Sequence, residues 1–152
     1  MPHADYFVTV CVQPRRSVLV SNIATSLMNE ARRLETDGGL TLRCLTVMPD
    51  HMHLFFSLGE RLTLSQSIAR LKTKTQTLLR PHGTDWQSNF YDHRIRETDS
   101  IESVIRYIYL NPYRAETIQQ NETWPYFYCC ETDWKWFQGL TESGQPFPEW
   151  LQ

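Results

Sequence analysis

No run of apolar residues in this chain approaches the roughly 20 needed to span a bilayer, and the opening MPHADYF lacks the basic-then-apolar plan of a signal peptide. A soluble, cytoplasmic protein without a membrane partner is therefore expected. No CxxC pair is present. Cys11 and Cys44 lie in apolar strand-like runs and Cys129 and Cys130 are adjacent, so buried thiols in a reducing cytosol are the better reading. A strong positive charge is missing too. At a net charge of −2 the chain does not suit a general nucleic-acid coat, since non-specific affinity comes mainly from phosphate neutralisation. Any function on nucleic acid must rely on local basic patches. Repeats and low-complexity tracts are also absent. What remains is a chain of 152 residues, 41% hydrophobic and 12% aromatic, long enough for one sizeable core and too short for two ordinary domains. A single domain over 1–152 is expected.

The element types alternate along the chain. YFVTVCV (6–12) is rich in β-branched and aromatic residues and ends before Pro14, which predicts a first strand. Ile23, Leu27, Ala31 and Leu34 recur at helical spacing behind a Ser21 or Asn22 cap, with Gly38 and Gly39 to end the helix. LTLRCLTVM (40–48) and HMHLFFSL (51–58) predict two strands, antiparallel because Pro49-Asp50 leaves so short a link. Thr63 with Gln66 forms a capping box for a second helix carrying Leu64, Ile68, Leu71 and Leu78, stopped by Pro81 and Gly83. NFYDHRIR (89–96) predicts a fourth strand. Asp99 with Glu102 then caps a third helix with Ile101, Val104, Ile105 and Ile108 on one stripe, running at least to Leu110. Beyond about residue 122 the chain is dense in aromatics without clean periodicity and reads as a tail packed over the core. Strand-helix-strand-strand-helix-strand predicts a ferredoxin-like α+β sandwich: an antiparallel sheet of four to five strands with helices on one side.

Two features carry chemistry. In MPDHMHLFF (48–56), strand alternation puts His51 and His53 on one face, about 6.6 Å apart. A lone histidine in such a strand is usually structural; two at this spacing can also converge on one metal ion, which then needs a third protein ligand. On the third helix Tyr107 and Asn111 are spaced i, i+4, with Cβ atoms about 6 Å apart. Tyr109 points nearly the opposite way from Asn111, and Tyr113 falls beyond Pro112. Helix-border tyrosines mostly pack their rings, and an asparagine before proline reads as an ordinary helix end. That same irregularity could turn its amide towards a metal.

MPDHMHL, followed about fifty residues later by RYIYLNPYRAE, resembles the paired motifs of the single-tyrosine HUH transposases, most closely the REP-associated tyrosine transposases of bacteria. YFVTVCV and WQSNFYDHRIRETDS (86–100) resemble further family segments in order and spacing, so that the likeness covers roughly residues 6–128. The resemblance implies a divalent metal, magnesium or manganese, on His51 and His53 with Asn111 as third ligand, and Tyr107 as nucleophile. It implies an enzyme that nicks and rejoins single-stranded DNA near hairpins through a 5′-phosphotyrosine. Two departures are Tyr113, where a small aliphatic residue is usual after Asn-Pro, and a C-terminal segment around Cys129-Cys130 that matches only loosely.

Tyrosine is a weak nucleophile at its free pKa near 10, so attack on a phosphodiester demands activation, and a metal on two imidazoles and an amide keeps nearly its full charge for the phosphate. A single nucleophile suits cutting one strand, whose unstacked bases can stack on aromatic rings. Basic residues available for DNA are Arg15 and Arg16, Lys72 and Lys74 on the second helix, and Arg94 and Arg96, which share a strand face. Asp92 and His93 in the same segment could assist proton transfer or buttress the site. Two other readings stand beside the transposase: a hairpin-DNA-binding module that no longer cuts, and a metal phosphodiesterase using activated water. A monomer is favoured over a homodimer.

Overall fold

The computed structural model describes residues 2–134 and 145–151. Its elements are β1 (Asp5–Gln13), α1 (Ser21–Gly38), β2 (Thr41–Met48), β3 (His51–Ser57), α2 (Leu64–Leu79), β4 (Asp85–Trp86), β5 (Tyr91–Arg94), α3 (Ile101–Arg114) and β6 (Phe127–Cys129). Part of the aromatic tail, 135–144, lies outside the described residues.

β2 and β3 form an antiparallel hairpin across Pro49-Asp50, and β3 pairs antiparallel with β1 on its other side. The strand order is β4-β1-β3-β2-β6, and β5 also pairs with β1. The far edge of β1 is shared: β5 takes Tyr6–Thr9 and β4 takes Val12–Gln13. The fourth strand read from the sequence, 89–96, is the shorter β5, and with the unforeseen β4 and β6 the sheet has six strands rather than four or five. The β-α-β-β-α-β core is ferredoxin-like, as expected.

Alternation sorts the side chains. Val8 and Val10 of β1, Leu45 and Val47 of β2, and Met52, Leu54 and Phe56 of β3 form one cluster with Leu27, Ala31 and Leu34 of α1 and Ile68, Leu71 and Leu79 of α2. The intervening positions Cys44 and Phe55 form a second cluster with Ile105, Ile108, Tyr109, Leu110 and Tyr113 of α3. The two helices inside the core motif share one side as predicted; α3, which follows the motif, covers the other. It must, because β3 lies between β1 and β2 and is buried on both faces from Met52 to Phe56. Tyr126 and Tyr128 pack against the first cluster and Phe127 and Cys129 against the second, so β6 carries the tail onto the sheet edge.

Helix ends follow their caps, with three departures. Thr63 and Gln66 make the predicted reciprocal capping box, and Gly39 at φ 68° ends α1 in the left-handed region. α1 starts instead behind Val20 with no side-chain cap, so neither Ser21 nor Asn22 serves. α3 is capped by Ser100, which accepts from Ser103 N, while Asp99 turns back to accept from Arg96 N at 2.7 Å. The third departure is that α3 does not end at Asn111. It continues through Pro112 to Arg114, Ala115 N donating to Asn111 O, because buried Pro112 and Tyr113 hold the last turn on the core.

Candidate active site

The histidine pair stands on the α3 face of β3, ring centroids 4.8 Å apart in an edge contact. Each ring is held at Nδ1. Asp50 Oδ1 lies 2.7 Å from His51 Nδ1, and because a carboxylate only accepts, that nitrogen carries the proton and leaves Nε2 with its lone pair. Arg15 Nε donates to the other oxygen, Asp50 Oδ2, at 3.0 Å. Burial alone raises the Asp50 pKa, but the hydrogen bonds from His51 and Arg15 outweigh it and hold the carboxyl below its usual value. His53 pairs across the sheet with Thr9, whose Oγ1 is 2.8 Å from His53 Nδ1. Burial, with His51 alongside, pushes the His53 pKa down to about 3, so the ring is neutral and its Nε2 is the nitrogen left for a ligand.

Tyr107 comes to the same place from α3. Its ring meets His53 at 5.6 Å and Phe7 at 5.9 Å, both edge-on, and Phe7 in turn stacks on His53 at 5.3 Å. Ile105 and Ile108 anchor the helix, yet Tyr107 stays 45% exposed. Asn111 follows one turn later on the same helix and is half-buried. Across β2 from His53 is Thr46, whose buried Oγ1 has no hydrogen-bond partner among the described residues. Two hydroxyls, two imidazoles and a phenol from four separate elements, β1, β2, β3 and α3, therefore share one face.

Residues 2–111 match the family model "Transposase IS200 like". The chain belongs to the IS200-like transposase family. It is 29% identical over 121 residues to the REP-associated tyrosine transposase of Escherichia coli K12, covering 80% of this chain and 73% of that one. It is 32% identical over 68 residues to the ISDra2 transposase TnpA of Deinococcus radiodurans, covering 45% and 49%. Among solved structures, one described as a REP-associated tyrosine transposase bound to a REP hairpin superposes with a TM-score of 0.70 at 26% identity, covering 84% of this chain and 77% of that one. No helix among the described residues of this transposase is long and apolar enough to cross a membrane.

A family of this kind implies a divalent metal, and the residues present fit one. Among the described residues no three His, Cys, Asp or Glu side chains converge to hold an ion, so an ion on the two histidines would need a ligand of another type; Asn111, one helical turn after Tyr107, carries a carboxamide that would serve. Two Nε2 lone pairs with an amide oxygen make a neutral nitrogen and oxygen set suited to a divalent cation. The carboxylate behind His51 and the hydroxyl behind His53 are the supports such ligands ordinarily have.

The basic residues of the transposase scatter. Arg15 is engaged with Asp50. Lys72 donates to the carbonyls of Gln87 and Asn89 at 2.7 and 3.1 Å, which ties down the loop before β5. Burial holds its ammonium below the usual lysine pKa. Lys74 is exposed on α2, one turn from Arg70 and on the sheet side away from the histidines. Arg16 is exposed near Gly83. Arg94 and Arg96 do not share a strand face: β5 ends at Arg94, opposite Tyr6, and Arg96 sits in the turn closed by Asp99. His93 joins Asp99 at 3.1 Å instead of the histidine pair. Missed from the sequence were Thr9, Phe7 and the orienting role of Asp50. Thr9 left a signal, a polar residue between Val8 and Val10 in an otherwise apolar strand.

Proposed function

We propose that this transposase cuts and rejoins single-stranded DNA at hairpins, using Tyr107 as nucleophile. The observation that carries it is the edge contact of the Tyr107 ring with His53 in one chain, with both imidazoles oriented through Nδ1. His51, His53 and Asn111 would hold magnesium or manganese, which supplies positive charge for the non-bridging oxygens of the scissile phosphate. The exposed Tyr107 hydroxyl attacks phosphorus, giving up its proton as the bond to the 3′ oxygen breaks. That oxygen takes up a proton and leaves as a free 3′-hydroxyl, and the 5′ side stays esterified to Tyr107. An incoming 3′-hydroxyl reverses the step, so joining needs no ATP. Asp50 and Thr9 hold the imidazoles in the tautomer this requires, and Phe7 fixes the angle between His53 and the phenol. Exposed Arg16, Arg94 and Arg96 supply positive charge to the DNA backbone. Because one chain brings phenol and imidazoles together, a monomer suffices, and the mass in solution beside the activity tests that.

The decisive assay incubates the protein with an end-labelled hairpin oligonucleotide carrying a single-stranded flank, with Mn²⁺, and looks for a protein-DNA adduct that survives denaturation. The native chain forms it and Tyr107→Phe does not. Cleavage without an adduct supports the phosphodiesterase using activated water, and binding without cleavage the module.

A further inference from the structure

A hollow opens between β1, β5 and the first turns of α3, lined by Phe7, His93, Ser103, Val104 and Tyr107. We propose that it receives one unstacked nucleobase of the single strand, the base of a nucleotide flanking the phosphate that Tyr107 attacks. The inference rests on the proposed function and names a subsite for it. Four features of the hollow point to a base.

Its volume is about 260 Å³, just below the roughly 300 Å³ at which sites for drug-sized ligands begin, so it takes a single ring system. Its lining surface is almost wholly apolar. A phosphate placed there would lose water against a surface that offers almost no polar area in return, and a sugar hydroxyl likewise. A base loses little, since every base offers a π face to an aromatic wall. The walls are preset. Phe7 is stacked on His53 at 5.3 Å and meets Tyr107 edge-on at 5.9 Å. The His93 ring is fixed by Nε2 on Asp99 at 3.1 Å, and Asp99 is itself held by Arg96 N at 2.7 Å. Finally, Tyr107 is at once a wall of the hollow and the proposed nucleophile. Whatever fills the hollow therefore lies within one side chain of the reacting phosphorus, which selects a nucleotide next to the cut. With almost no polar surface presented by its lining, the subsite holds a base without reading which base it is. It thereby orients the phosphate in line with the phenol and leaves sequence choice to other contacts.

The test uses hairpin oligonucleotides in which each flank nucleotide in turn is abasic, with binding measured on Tyr107→Phe so that no adduct forms. One abasic position weakens binding by about 5- to 150-fold, the range that losing one stacked base covers, and the others weaken it far less. Ser103→Trp, which fills the hollow from an exposed position at the start of α3, weakens the intact oligonucleotide by the same factor and leaves the abasic one unchanged. 2-Aminopurine at the sensitive position is quenched by the Tyr107→Phe protein and stays bright with the double variant carrying Ser103→Trp. Val104→Phe fills the hollow from the other side and repeats the result if Ser103→Trp lowers the melting temperature. Equal affinity for intact and every singly abasic flank overturns the subsite. The native protein's adduct reports separately on the proposed function: an adduct together with indifference to abasic positions removes the subsite alone. Abasic sensitivity without an adduct removes the phosphotyrosine reading and leaves a base-binding hollow.

Discussion

The two faces of the sheet are made from the same strands and carry opposite loads. Towards α1 and α2, Val8, Val10, Leu45, Val47, Met52, Leu54 and Phe56 are essentially fully buried and apolar. Towards α3, the residues between them include Thr9, Thr46, His51 and His53 with Phe7 and Phe55, and Tyr107 stands 45% exposed above them. Strand periodicity of two keeps these sets apart, and a one-residue slip of register would exchange them. Stability is concentrated on the first face, which frees the second to hold polar and half-open groups.

The largest expected effect comes from crossing that division. Phe56→Ala, at a side chain 1% exposed, should cost about 3–5 kcal/mol in urea unfolding, the range for deleting a buried phenyl. The fraction still folded should form the DNA adduct at the native rate. His51→Ala should do the converse, abolishing the adduct while costing about 1 kcal/mol, since what is lost is one edge contact with His53 and one hydrogen bond to the partly exposed Asp50. If His51→Ala keeps full activity, the metal assignment falls.

One ion pair on the α3 face sharpens the comparison by belonging to the stability side. Arg43 binds Asp133 through two hydrogen bonds of 2.7 Å, reaches Asp5 at 3.2 Å and covers the Phe55 ring at 4.6 Å. It fastens the tail to the sheet. The Asp133 side chain is 4% exposed, so Arg43→Leu removes the guanidinium that pairs with a buried carboxylate, and breaking such a pair costs about 3–5 kcal/mol. A calorimetric scan should show the loss, with Arg43→Leu, Asp133→Leu recovering much of it.

The division was largely legible in the chain, and its exceptions have physical causes. Alternation in YFVTVCV and HMHLFF assigned faces, and the Thr63 capping box and Gly39 set helix ends, because each depends on neighbours within one turn. β4 and β6 were not legible: two and three residues long, they exist only because β1 and β2 offer free edges. The side taken by α3 is likewise a tertiary fact, imposed by a β3 that needs cover on both faces. Of the candidate site, the motifs pointed to His51, His53 and Tyr107, whose rings the structure brings together, and to Asn111 one turn further along α3. Lys72 looked like a DNA contact and became a loop clamp, since its partners are backbone carbonyls that no residue pattern announces.

Asp50 should prove to belong to function. Asp50→Asn keeps an acceptor for His51 Nδ1 but removes the charge that holds the ring's tautomer and pairs with Arg15. That pair is partly exposed, its side chains 51% and 31% accessible, and surface pairs contribute about 0–1 kcal/mol. Stability should barely move. Mn²⁺ affinity, measured by titration calorimetry, should fall about 10- to 100-fold, the usual effect of losing the group behind a ligating histidine.

Thr9→Val should give the smallest effect and the most specific one. Valine fills threonine's space on β1, so the sheet keeps its packing while the hydroxyl at 2.8 Å from His53 Nδ1 is lost. His53 is 5% exposed, water cannot easily replace the partner, and the net stability loss should be about 1 kcal/mol. The larger consequence is chemical: without an acceptor at Nδ1 the proton spends part of its time on Nε2, and Mn²⁺ binding should weaken a few-fold. Independent sites add to within about 0.3–0.5 kcal/mol. His51 and His53 are in edge contact at 4.8 Å, so Asp50→Asn with Thr9→Val should depart from additivity by more than that. Strict additivity would mean that each imidazole is aimed by its own strand alone.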